Sequence, residues 1–389
     1  MKILLVGEYS RLHNSLKEGL QKLGHEVTII STGDHFKQFP SDILLKRKYD
    51  NGILKKLKVG LYKLFKIDIT SISLRNQFFK NKESLQGFDV VQLINESAFS
   101  IEPKYEIEII EFLKKNNNKL FLLSCGADHT SIKFAVDKKI RYSIMTPYLE
   151  GIVPAKDYGH PLKFLKPEFE NLHQFIVQSV DGILASDMDY DIPLQGHKKY
   201  LGLMPNPVNT SKLDYIPISI DGKIKVFHGI NRTNYFKKGN DYFEAVLERV
   251  QKTYASKVEV ITVENIPYSE YIKKYNAAHI LLDQVFSFDQ GYNALEAMAK
   301  GKVVFTGAET EFLETYNLNP DEVCINALAD VDYLFQKLEE LILNPEKLTY
   351  ISKNARAFIE REHDYILVAN KYLEAWKSSN TQEINKVAR

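Results

Sequence analysis

Cysteine is nearly absent from this 389-residue chain, which carries only Cys125 and Cys324. The two lie far apart and lack metal-ligand spacing, which argues against a disulfide framework or a zinc site. A reducing cytosol is the natural setting. A charge of one sign is lacking too. Fifty-one Lys and Arg oppose fifty Asp and Glu, for a net charge of +1. The chain as a whole is therefore not a nucleic-acid binder by electrostatics. No apolar run approaches the ~18 residues of a membrane span. Residues 2–7 are too short an apolar stretch for a signal peptide and read as a first buried strand. No G-x-G-x-x-G follows that strand, so a dinucleotide site is not supported.

What is present is alternation. Strands are expected at 3–6, 27–30, 90–94, 120–124, 175–177 and 183–185. A helix carrying Leu12, Leu16, Leu20 and Leu23 at helical spacing ends at Gly24. Residues 107–113 read as an amphipathic helix. Pro205 and Pro207, in the run Met204 to Asn209, break the pattern and mark an interdomain linker. A second series follows, with strands at 224–227, 258–263, 280–282, 303–305 and 323–325. The tail after Asn344 reads as helix. The length suits two domains, and the order suits two α/β layers of mostly parallel sheet. Ligands in such sheets bind at the carboxyl ends of the strands.

The chemistry-bearing residues concentrate in the second half. Residues 291–305 read as loop, helix, glycine turn and buried strand. The start of such a helix offers free N–H groups and partial positive charge to a phosphate. Gly291, Tyr292 and Asn293 stand at that start. Glu296 lies near it, where a carboxylate can bond a ribose diol. Gly229, Asn231 and Arg232 follow a predicted strand, and Lys238 precedes Gly239 and an amphipathic helix. Fixed cations at such positions are suited to hold an anionic group.

These stretches resemble the donor domain of GT-B glycosyltransferases of the group-1, family-4-type set, most continuously over residues 224–305. The run Glu296-Ala297-Met298-Ala299, with Gly301 and Val303-Val304 after it, matches that set's donor segment. The resemblance implies a GT-B fold: two Rossmann-like α/β/α domains facing a deep interdomain cleft. The expected parts are an acceptor domain (1–206), a donor domain (207–364) and a final helix (365–389) returning to the first domain. It implies Arg232 and Lys238 on the diphosphate, Glu296 on the ribose, and Asn265 and Ile266 near the nucleobase. In the first half, Gly7 and Glu8 occupy the acceptor loop. Residues 124–129 resemble the set's acceptor-facing loop, with Cys125 where histidine is usual. Asp128 then looks like a carboxylate that orients the acceptor hydroxyl or serves as base, with His129 as its rival. One departure stands out: the first of two glutamates separated by seven residues is Phe288 here, with Asp289 beside it.

The implied activity is transfer of a sugar from a UDP- or GDP-linked donor to a glycan or lipid-linked acceptor in surface polysaccharide assembly. The resemblance implies retention of configuration, no metal and no cofactor. The alternatives are an inactive transferase-like scaffold and a GT-B nucleotide-sugar epimerase. Residues 46–66 interleave eight Lys and Arg with apolar residues, opposed only by Asp50. They read either as an amphipathic element for an anionic membrane surface or as a basic loop binding an acidic acceptor. The expected location is cytoplasmic, peripheral at the inner face of the membrane.

Overall fold

The computed structural model describes residues 1–34 and 39–387. The first sheet contains β1 (Lys2–Val6), β2 (Glu26–Ser31), β3 (Ile43–Leu44), β4 (Val90–Leu93), β5 (Lys119–Ser124), β6 (Gly182–Ala185) and β7 (Tyr200–Leu203). Their spatial order is β3-β2-β1-β4-β5-β6-β7. The second sheet contains β8 (Ile224–Ile230), β9 (Val258–Glu264), β10 (Ile280–Leu282), β11 (Val303–Thr306) and β12 (Ile325–Asn326). Its order is β12-β11-β10-β8-β9. Neighbouring strands pair in parallel throughout. Ile3 to Val6 and Val303 to Phe305 are fully buried. Continuous apolar runs of this kind suit parallel strands covered on both faces. The strand order reverses between β1 and β4, and again between β8 and β10. Those two switch points are where such sheets open a crevice for ligands.

One expected strand is corrected. Residues 175–177 belong to the helix Pro167–Ser179, which starts with proline in its first turn. Phe169, Leu172 and Ile176 are buried at helical spacing there. The short apolar run at 175–177 was therefore the end of a helix stripe, which periodicity over three residues does not separate from a strand. The strand expected at 323–325 is displaced to Ile325–Asn326.

The chain crosses between the domains twice, and the crossings touch. The Val208 amide donates to the His363 carbonyl at 2.7 Å, and the Tyr365 amide donates to the Val208 carbonyl at 3.2 Å. The helix Pro345–Glu362 packs Ala355, Phe358 and Ile359 into the second domain. The next helix, Tyr365–Val387, returns to the first. Its Val368, Ala369, Tyr372 and Trp376 are part of the first domain's core. Trp376 donates its indole N–H to Gln92 at 2.9 Å, and its carbonyl accepts from Lys119 at 2.7 Å. Gly19 permits the approach, because a Cβ there would meet the Tyr365 carbonyl oxygen at 2.1 Å. Away from the crossings, Arg141 of the first domain pairs with Glu309 and Glu311 of the second.

Trp376→Ala should cost about 3–5 kcal/mol, as for other buried aromatic truncations. Chemical denaturation would read it. An unchanged midpoint would mean that the returning helix does not complete the first core.

Candidate functional site

The donor-side residues converge at the carboxyl end of the second sheet. β8 ends at Ile230, and the loop beyond it turns twice before the helix Asn240–Thr253. Asn231 shapes the first turn: its side-chain oxygen accepts from the Thr233 amide at 3.0 Å. Gly239 ends the second with φ +67°, and a Cβ there would meet Val285 at 2.7 Å. Only glycine meets both demands. β10 delivers Asp283, which is almost wholly buried. Its Oδ1 accepts from Lys238 Nζ at 2.9 Å and from Asn293 Nδ2 at 2.9 Å. Its Oδ2 is buried without a partner.

Asn293 lies in the first turn of the helix Tyr292–Ala299, whose N-cap is Gly291. A Cβ on Gly291 would meet only Gln284, at 3.9 Å, so the space before the helix is open to a ligand. Glu296 sits one turn on, partly exposed. The structure thus brings Lys238, Asp283, Asn293 and the N-terminus of this helix together, which is the arrangement that binds a phosphate. Arg232 stands further out. It makes a bidentate pair with Glu264, at 2.9 and 2.8 Å. Gly229 lies under the Tyr271 ring. Asn265, after β9, is left-handed at φ 51°, and Ile266 packs against the second domain's core.

In the first domain, Gly7 has φ +87°, and a Cβ there would strike Ile94 at 2.3 Å. Glu8, expected in the acceptor loop, follows it. Glu8 is buried; its Oε2 accepts from the Asn14 amide and side chain, while Oε1 has no partner. Burial pushes its carboxyl up to about 7, against the pull of the Asn14 hydrogen bonds. Tyr292 connects the two sides. Its hydroxyl donates to the Pro207 carbonyl at 2.9 Å. Burial raises that hydroxyl's pKa well above the ordinary value, and the nearby Glu8 and Glu296 charges add to the rise.

Asp128 has a different position. It is the N-cap of the helix His129–Val136, accepting from the Ser131 amide at 2.7 Å and from the Ser124 hydroxyl. Burial, with the charge of Glu96 next, raises it to about 6. His129 is buried, hydrogen-bonded to the Phe164 carbonyl at 2.8 Å and stacked on His173. Glu96 pairs with His173. Asn95 donates to the carbonyls of Cys125 and Ala127, which fixes the loop that carries Asp128.

A third cluster lies where the domains meet. Asp187 and Asp189 of the first domain and Asp289 of the second bring carboxylate oxygens within 4.8 Å of one another. Asp289 accepts from the Met188 amide at 3.0 Å. Asp189 accepts from Ser287 Oγ at 2.5 Å and from the Phe288 amide at 3.2 Å. Each domain thus supplies a carboxylate to the other's backbone. Burial raises all three, Asp189 to about 6, and the neighbouring aspartates raise Asp187 and Asp289 further. Asp289, expected beside the missing glutamate, is engaged in this contact. Phe288 is buried, with the Tyr142 ring 5.1 Å away and the Arg141 guanidinium over its face.

Asp283, Glu264, Asn95, Glu96 and the Asp187–Asp189 pair were not singled out from the sequence. Four of them could have been. Asp283 directly follows β10, Asn95 and Glu96 lie two and three residues past β4, and Glu264 ends β9; those are the positions that line the crevice of a parallel sheet.

Two parallel Rossmann-like layers with facing carboxyl ends and a helix that crosses back define the GT-B fold, and solved structures agree. A sucrose-phosphate synthase from Thermosynechococcus elongatus superposes with TM-score 0.61 at 14% identity, covering 98% of this chain and 100% of its own. The Anabaena protein HepE, in complex with UDP and glucose, gives 0.59 at 10% identity, over 97% and 100%. A protein named as a UDP-N-acetylglucosamine 2-epimerase, from Listeria monocytogenes, gives 0.53 at 12% identity, over 98% of each. Residues 236–374, within the second half of the chain, match the family model described as glycosyl transferase-like. No curated protein matches the chain.

The Glu8 titration has a definite sign. The unfolded chain releases this proton near the ordinary glutamate value of 4.5, whereas the folded protein holds it to about 7. The associated stability is complete below the lower value and is lost as pH rises through the upper one. Stability of Glu8→Gln should therefore gain on the parent across that window, as read by denaturant titrations at several pH values. A pH-independent difference would show that Glu8 is already ionised.

Proposed function

We propose that the protein is a glycosyltransferase that moves a sugar from a UDP- or GDP-linked donor to a glycan or lipid-linked acceptor in surface polysaccharide assembly. The observation that carries this reading is the convergence of Lys238, Asp283 and Asn293 at the N-terminus of the helix Tyr292–Ala299. In this reading the first-turn amides and Lys238 hold the diphosphate, Arg232 leaves Glu264 to join them, and Glu296 takes the ribose. Charge develops on the diphosphate as its bond to the anomeric carbon breaks, and fixed cations stabilise it there without a metal. Asn265 and Ile266 border the base. Glu8 faces the acceptor, while Asp128 holds the loop beside it.

The resemblance implies retention of configuration, and the anomer formed is read by NMR of the product. The scaffold alternative draws support from Phe288, whose burial leaves the usual first carboxylate position without a charge. The epimerase alternative predicts inversion at a sugar carbon of the donor itself, with no transfer to an acceptor.

A thermal-shift series with UDP, GDP, CMP and their sugars, with chelator present, is the first test. A ligand at a hundredfold excess over its Kd stabilises by about 2.7 kcal/mol. The expected result is a rise with one base, lost in Arg232→Ala, Lys238→Ala and Glu296→Ala. Slow release of free sugar from the matching donor would then separate transferase from scaffold. The absence of a shift with every nucleotide would reject the reading.

The Lys238–Asp283 pair supplies a second test. Asp283→Asn removes the carboxylate that competes with a bound phosphate for Lys238 while keeping a polar group for Asn293. Inorganic pyrophosphate should bind this variant about tenfold more tightly by calorimetry, within the range of charge-assisted hydrogen bonds. Equal or weaker binding would place the anion elsewhere.

A further inference from the structure

The basic, apolar stretch singled out in the sequence is not absorbed by the donor site. It forms the helix Gly52–Phe65, none of whose residues is buried. Ile53, Leu64 and Phe65 are 84%, 77% and 64% exposed, and Leu54, Leu57 and Tyr62 are about half exposed. At helical spacing Ile53, Leu57 and Leu64 form one stripe, with Leu54, Leu61 and Phe65 beside it. Lys56 and Lys63 share one flank of that stripe, and Lys55 and Lys66 lie beyond them. Lys58 alone turns inward among these, to Asp50 at 2.7 Å. Isolated exposed apolar side chains are ordinary, but a contiguous apolar stripe marks an interaction surface.

We propose that this helix docks the protein on an anionic lipid bilayer. Its apolar stripe enters the acyl boundary while the flanking lysines reach the phosphate headgroups, their stems lying along the same surface. Charge complementarity selects this occupant over a second copy of the chain. An antiparallel two-fold pairing of the stripes would bring lysine flank against lysine flank, whereas anionic headgroups neutralise the lysines. A neighbouring cavity of about 620 Å³ is lined by Lys58, Lys63, Lys104, Lys163 and Lys166 together with Asp68, Glu102 and Glu168, so its cations outnumber its carboxylates only modestly. Among the described residues no helix is long and apolar enough to cross a membrane, so the helix lies in the interface plane. The inference goes beyond the donor site and would bring the acceptor side of the cleft to a membrane-borne substrate.

The test is flotation of the full chain with phosphatidylcholine vesicles, with and without phosphatidylglycerol. At ~1 kcal/mol per lysine near an anionic surface, phosphatidylglycerol should raise the vesicle-bound partition at least about tenfold. The triple variant Ile53→Ser/Leu64→Ser/Phe65→Ser should lose binding. Lys55→Gln/Lys56→Gln/Lys63→Gln should lose its preference for phosphatidylglycerol, with unchanged thermal midpoints in both. Absence of binding to either vesicle overturns the proposal, as does full binding by the apolar variant. Self-association abolished by the apolar substitutions, without vesicle binding, assigns the face to a second copy instead. No nucleotide is needed, so failure here leaves the donor site standing. Vesicle binding without any nucleotide shift fails the functional reading alone.

Discussion

The carboxyl end of the second sheet is organised around one buried carboxylate. Asp283 is held by its own backbone, whose amide donates to the Phe305 carbonyl at 2.9 Å. From that fixed point it reaches Lys238 on one loop and Asn293 on one helix. The Val285 amide then closes back onto the Lys238 carbonyl at 3.0 Å. Removing Lys238 would leave this buried carboxylate short of its countercharge, which costs more than the pair contributes. Arg232 differs in kind: its pair with Glu264 is half exposed and exchanges partners at little cost.

The carboxyl end of the first sheet is built by a different device. Gly7 lets the chain turn sharply at the end of β1, and Asn95 laces the next loop to the one after β5. The domains meet through Asp187, Asp189 and Asp289, whose oxygens crowd together while each domain's backbone donates to the other. Like charges this close cannot all ionise. Protons held there favour the closed contact, and their loss loosens it. The two domains are thus positioned by hydrogen bonds that each donates to the other's carboxylate.

Much of this was legible in the sequence where periodicity was long. Buried parallel strands such as β1, β5, β8 and β11 announce themselves as continuous apolar runs, and the helix before β11 carries its own chemistry in Glu296. Short runs were not legible: residues 175–177 looked like a strand because only Phe169 and Leu172, a turn earlier, reveal the helix stripe. Asp128 was legible as a carboxylate after a strand, but its Ser131 neighbour equally spells a helix cap, and geometry alone assigns it there. Asp283 was legible only in part. Its place after β10 marks it as a crevice residue, but its pairing comes from Lys238, forty-five residues earlier in the chain. Pairings of that range depend on which loops the topology brings together.

The returning helix also orders events in time. The first domain's core contains Val368, Tyr372 and Trp376, so that domain cannot finish packing until residue 376 has left the ribosome. Among the described residues, the second domain's core draws on none later than Ile359. Synthesis usually lets the leading domain fold first; here the leading domain waits with an apolar groove over β4 and β5 until its last helix arrives. That groove is the surface a chaperone would meet on the nascent chain.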